Sequence, residues 1–113
     1  MTLQQWITKY EQKSEKFILL PGFTIFYNPE RGFFCWRVFE NVFEIDHTCT
    51  NDIYYCYQTA NDLAKKHHCQ LIRTQTFRDP ASYMRLTKSK INLSLSGIRP
   101  NEKMYWVFEK EVL

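Results

Sequence analysis

The sequence predicts an α+β fold in three layers, a mixed sheet covered by helices, with the element order α-β-β-β-α-β-α-β-β. Three observations lead there. Between Val42 and Lys90 the apolar spacing changes from two residues to about 3.6 and back, as a strand–helix–strand crossover requires. Ahead of it, aromatic and β-branched runs are divided by the turn residues of Asn28-Pro29-Glu30-Arg31-Gly32. Two start signals, Thr50-Asn51-Asp52 and Asp79-Pro80, place helices after strands.

Thr2-Leu3-Gln4-Gln5 reads as a capping box, and Leu3, Trp6, Ile7 and Tyr10 form one stripe, so residues 3–13 are expected to be helical. This helix and the apolar Phe17-Ile18-Leu19-Leu20 arm make up residues 1–20, and Pro21-Gly22 turns the chain. Phe23 to Tyr27 is a strand. Phe33 to Glu40 is the next, apolar on both sides and so expected to be covered on both. A tight turn at Glu40-Asn41 leads into the strand Val42–Cys49 and completes an antiparallel meander. In that strand Phe43, Ile45, His47 and Cys49 are expected on one face, Glu44 and Asp46 on the other.

The helix Asp52–His67 follows, with Ile53, Cys56, Tyr57, Ala60, Leu63, Ala64 and His67 as its apolar stripe. Gln70–Phe77 is a strand parallel to Val42–Cys49 through a right-handed crossover. Asp79 caps the helix Pro80–Ser89. Ile91, Leu93 and Leu95 alternate with Asn92, Ser94 and Ser96 as a half-buried strand. Residues 97–103 are expected to be a loop, and Met104, Trp106 and Phe108 alternate with Tyr105, Val107 and Glu109 in a last strand that closes a terminal hairpin.

The 113 residues suit one domain, 1–113, able to bury roughly two thirds of its unfolded surface. With 44% hydrophobic and 17% aromatic residues, disorder is excluded. No apolar run approaches a membrane span, and no secretory signal precedes the first helix. Cys35, Cys49, Cys56 and Cys69 are therefore expected as buried thiols in a reducing cytoplasm.

The net charge of +3 is unevenly spread. Residues 1–60 carry −2, with 5 basic groups against 7 acidic, while residues 61–113 carry +5, with 10 against 5. Arg73, Arg78, Arg85, Lys88 and Lys90 have Asp79 as the one acid among them. They are expected to form a positive surface for phosphates or for an acidic protein.

From its second strand onward this order resembles the GNAT superfamily of N-acetyltransferases. Val42–Cys49, Asp52–His67, Gln70–Phe77 and Pro80–Ser89 look like the four elements that form that family's acetyl-CoA cleft. The opening Met-Thr-Leu-Gln-Gln-Trp and the Asn28–Gly32 turn are similar to short GNAT-like proteins of Gram-positive phages and prophages. The resemblance implies a Gln/Arg-x-x-Gly-x-Gly/Ala loop around the CoA pyrophosphate, where glycines let amides approach the anion. This chain has Thr50-Asn51-Asp52-Ile53-Tyr54-Tyr55-Cys56 there, and no glycine between Gly32 and Gly97. The resemblance also implies a thiolate-protonating tyrosine on the last helix. That position falls on Leu86, with Tyr83 about one turn away, and the glycine expected next is Lys90.

Glu44 and Asp46 are the candidates for a general base. Tyr83 is the candidate acid. His47, Cys49, Cys56, His67, His68 and Cys69 lack the paired spacing of a zinc site, so no metal is expected. No spacing marks a histidine partner for a nucleophilic cysteine. The expected function is that of a non-catalytic, degenerate GNAT-like accessory protein in a bacterial cytoplasm, with no cofactor, binding another protein such as a host defence factor. Acetyl-CoA-dependent acetyl transfer and nucleic-acid binding through the basic residues with Tyr83 are the alternatives.

Overall fold

The computed structural model describes residues 1–76, 80–98 and 104–113. The capping box forms: the Gln5 amide donates to Thr2 Oγ1 at 3.1 Å and the Thr2 amide to Gln5 Oε1 at 2.8 Å. It starts helix α1 (Leu3–Lys13), which buries Trp6 and Tyr10. Strands β1 (Thr24–Asn28), β2 (Gly32–Phe39) and β3 (Val42–Thr50) form the antiparallel meander. Glu40 and Asn41 both take positive φ, 49° and 65°, the two-residue type I′ turn whose twist suits a hairpin.

Helix α2 (Ile53–Lys66) crosses over to β4 (Leu71–Thr76), which pairs parallel to β3. Helix α3 (Pro80–Thr87), the short strands β5 (Lys90–Ile91) and β6 (Gly97–Ile98), and β7 (Met104–Glu111) follow. The strands run β1-β2-β3-β4-β7-β5, with β6 also on β7, so a mixed sheet and an α+β fold are present as the periodicity predicts.

One core lies between the sheet and α2: Phe34, Phe43, Ile45, Tyr57, Ala60, Ile72 and Phe108 are buried there, with Trp36 half-buried against them. A smaller one joins α1 to the other face through Trp6, Tyr10, Phe33 and Cys35. β2 is thus apolar on both sides because each side has a helix above it.

Two expectations are corrected. Phe34 stands opposite Thr48 but Trp36 opposite Ile45, so Cys35 faces two residues, Asp46 and His47. This β-bulge reverses the parity of β3. Phe43 and Ile45 point toward α2, whereas His47 and Cys49 pack on the α1 side.

The expected strand over 91–96 ends after Ile91. Asn92 Oδ1 accepts from the Ser94 hydroxyl at 2.7 Å and the Leu95 amide at 3.3 Å, and this local turn displaces the ladder. Leu93 is consequently 71% exposed, and β6 begins inside the expected loop. The expected strand end at Phe77, the N-cap Asp79 and Arg78 lie outside the described residues, as does the side chain of Tyr83.

Candidate functional site

The parallel ladder between β3 and β4 stops at Ile45↔Thr74. Beyond it β3 stays with β2 as far as Thr50, and β4 stays with β7 as far as Thr76, so the two central strands part company. The bulge at Asp46 and His47 lies where they separate. On the α1 side, Gln75 Nε2 donates to Asp46 Oδ1 across the gap at 3.1 Å. His47 is 8% exposed. It shares a hydrogen bond with the Tyr10 hydroxyl through Nδ1, and its Nε2 lies 3.5 Å from Asp46 Oδ2. Glu15 Oε1 is 3.8 Å from the same Nδ1, and the rings of Tyr10 and Phe17 pack against the imidazole. Burial, and then the Asp46 charge, push the neighbouring Cys35 thiol up to about 12.

The start of α2 follows directly on β3. Asp52 caps the helix by accepting the Tyr55 amide at 3.0 Å. Its other oxygen pairs with Arg31 Nη1, and that guanidinium lies 5.3 Å from the centre of the Tyr55 ring. The Thr50 hydroxyl donates to Arg31 O at 2.7 Å and Asn51 Nδ2 to Glu30 O at 2.9 Å, binding this connection to the β1–β2 turn. Close approach is possible because Gly32 has φ +121° and no side chain, and a Cβ there would meet Cys49 O at 2.0 Å.

Of the two candidate bases, Glu44 is engaged by cations on both sides. Arg37 Nε donates to Glu44 Oε1 at 2.7 Å and Arg73 Nη1 is 3.9 Å from Oε2. Arg73 in turn donates to Glu109 through Nε at 2.9 Å and Nη2 at 2.8 Å. The expected basic surface is divided. Arg73 and Lys90, both opposite Glu109 in register, belong to the α1 face of the sheet. Arg85 and Lys88 are exposed on the helix side.

The sequence reading missed Lys110, which shares the α2 side of β7 with Phe108 and Val112 and lies 5.5 Å over the Tyr57 ring. Plain alternation from Phe108 would have found it. Lys88 and Lys110 border a groove of about 390 Å³ between α2 and α3, floored by Ile72. Among the described residues, no group of three or more His, Cys, Asp and Glu is placed to hold a metal ion, and no helix is long and apolar enough to cross a membrane.

A mixed sheet whose two central parallel strands separate beside a helix start defines a GNAT-like fold, and solved structures agree. Ard1 from Thermoplasma volcanium matches with a TM-score of 0.62 at 10% identity, over 100% of this chain and 95% of that one. An acetyltransferase from Bacillus cereus matches with a TM-score of 0.53 at 16% identity, over 96% and 88%. A Bacillus subtilis acetyltransferase in complex with CoA matches with 0.55 at 11% identity, over 79% and 75%. No protein-family model matches the sequence, and no curated protein is similar to it in sequence.

Proposed function

We propose that this chain is a non-catalytic GNAT-like binding protein, of the accessory kind encoded by phages and prophages, and acts on a macromolecule in a bacterial cytoplasm. One observation carries the reading: the Asp52 carboxylate already caps the start of α2, held there by Arg31. A helix start attracts anions through its amides and dipole. A capping carboxylate takes one of those amides from a pyrophosphate and fills the space at the helix start. The chain supplies no glycine between Gly32 and Gly97 to open another approach. Inhibition of a host defence protein suits a small protein of this kind.

The test is calorimetric titration with acetyl-CoA, alongside an Asp52→Gly variant. Heat from the wild type at no accessible concentration is the expected result. Low-micromolar binding by the wild type would overturn the reading. Acetyl transfer is the second reading, favoured by the separation of β3 and β4 beside Asp46 and His47. There Asp46 is the better placed base, because Glu44 is held between two guanidinium groups.

A further inference from the structure

We propose that the groove between α2 and α3 seats an acidic peptide segment of the partner, in which carboxylates flank an aliphatic or aromatic anchor. This rests on the binding-protein reading above and gives it a place. The groove is apolar along its length, with Ile53 and Tyr57 on α2, Ile72 beneath and Leu86 on α3. Its size is within the range of ligand pockets, and it is large enough for a few side chains. Tyr54 on its rim is 67% exposed and Leu86 is 37% exposed, apolar surface that a partner would cover.

Charge selects the partner. Lys88 and Lys110 are the charged side chains of the lining, and among the described residues it contains no Asp or Glu side chain. An acidic segment gains from both its apolar anchors and its carboxylates, and a basic one loses. A nucleic-acid strand fits less well, since it needs cations following successive phosphates and this groove has an apolar floor.

Two further features indicate a built site. Lys88 follows the end of α3 with φ +58°, a left-handed position where glycine is easiest. Sparsely populated backbone held by a charged residue is a reason to look for function. The far end of the groove is fixed by Asn61, which donates through Nδ2 to Leu113 O at 3.3 Å and accepts the Leu113 amide through Oδ1 at 2.8 Å. A wall set in advance lowers the ordering cost of binding.

Fluorescence anisotropy with three short labelled peptides, alternating Glu-Leu, Lys-Leu and Glu-Ser, tests the proposal on the intact chain. The Glu-Leu peptide is expected to bind at least about tenfold more tightly than the other two, with affinity falling as salt rises. Lys88→Glu with Lys110→Glu should weaken it by a further tenfold or so at a temperature where circular dichroism shows the variant folded. Lys88→Gly should weaken binding while raising the melting temperature, so a loss of binding there cannot be ascribed to unfolding.

Failure of all three peptides to bind overturns the proposal. So does equal binding of Glu-Leu by wild type and double variant, which would move the contact elsewhere and leave the binding-protein reading standing. Tighter binding of a single-stranded oligonucleotide at the same two lysines would replace the peptide with nucleic acid. Acetyl-CoA titration reads the parent proposal separately, since it can bind or fail to bind whatever the peptides do.

Discussion

Glu44 on β3 lies in register between Arg37 on β2 and Arg73 on β4, with its carboxylate 2.7 Å from one guanidinium and 3.9 Å from the other. Arg73 pairs onward with Glu109, and Lys90 stands opposite Glu109 on β5. A row of alternating charge thus crosses five strands on the α1 face of the sheet.

Neutralising Glu44 removes two cross-strand attractions and leaves a neutral side chain between two guanidinium groups. Opposite-charge pairs across strands contribute about 0.2–1 kcal/mol each. Glu44→Gln should therefore destabilise the fold by about 0.4–2 kcal/mol in urea unfolding. An unchanged midpoint would show the row to be electrostatically idle.

Gly32→Ala should be among the most damaging single-methyl changes in the chain. The added Cβ would fall 2.0 Å from Cys49 O, a backbone atom that cannot move aside without disturbing β3. A cost of roughly 2–5 kcal/mol is expected from backbone strain with overpacking. A melting temperature equal to wild type would mean that the β1–β2 turn does not hold against Cys49.

The buried thiols make the fold sensitive to alkali. Burial raises the Cys35 thiol to about 12 and the Cys56 thiol to about 11, both above the ordinary value of 9.0. A folded-state value above the unfolded one favours the protonated thiol in the native state. Its contribution is complete below pH 9 and is lost as pH rises from there toward 11–12, where only the unfolded chain has ionised. Stability should fall over that window by up to about 1.4 kcal/mol per pH unit for each thiol, and less steeply in Cys35→Ala. At neutral pH iodoacetamide should label Cys35 and Cys56 only on unfolding; rapid labelling of native Cys35 would show that α1 leaves the sheet.

Ile72, 1% exposed at the centre of the main core, should cost about 2–5 kcal/mol when cut to Ala. Ile45, 9% exposed and on the same side of the sheet, should follow it. Losses below about 1 kcal/mol at both would place the α2 core on the wrong face of the sheet.

Local chemistry was legible in the sequence and long-range chemistry was not. Thr2 with Gln5 and Asp52 with Tyr55 are contacts within one helical turn, so their residue types announce them. The bulge at Asp46 and His47 leaves no mark, because Val-Phe-Glu-Ile-Asp-His-Thr-Cys alternates in letters while the pairing with β2 shifts in space. The alternation after Ile91 misled for the opposite reason. Asn92 and Ser94 have side chains that bond locally, and they broke a strand that the apolar residues favour. Arg73 read as a surface charge because its partners, Glu44 and Glu109, are distant in sequence. The groove beside Lys88 exists only once α2, α3 and β7 have packed together.

The row through Glu44 also acts as a ruler during assembly. If β4 slid past β3 by two residues, its core-facing side chains would still face the core, so apolar burial alone discriminates weakly against the error. The same slip would carry Arg73 about 6.6 Å from Glu44, toward Val42 or Asp46. A slip toward Val42 leaves Arg73 without a carboxylate on β3, so the alternating charge penalises that misregistered sheet, which hydrophobicity would tolerate. A chain stripped of the row would lose fidelity in refolding, with a larger share of molecules caught in slipped pairings, beyond what its equilibrium stability alone would indicate.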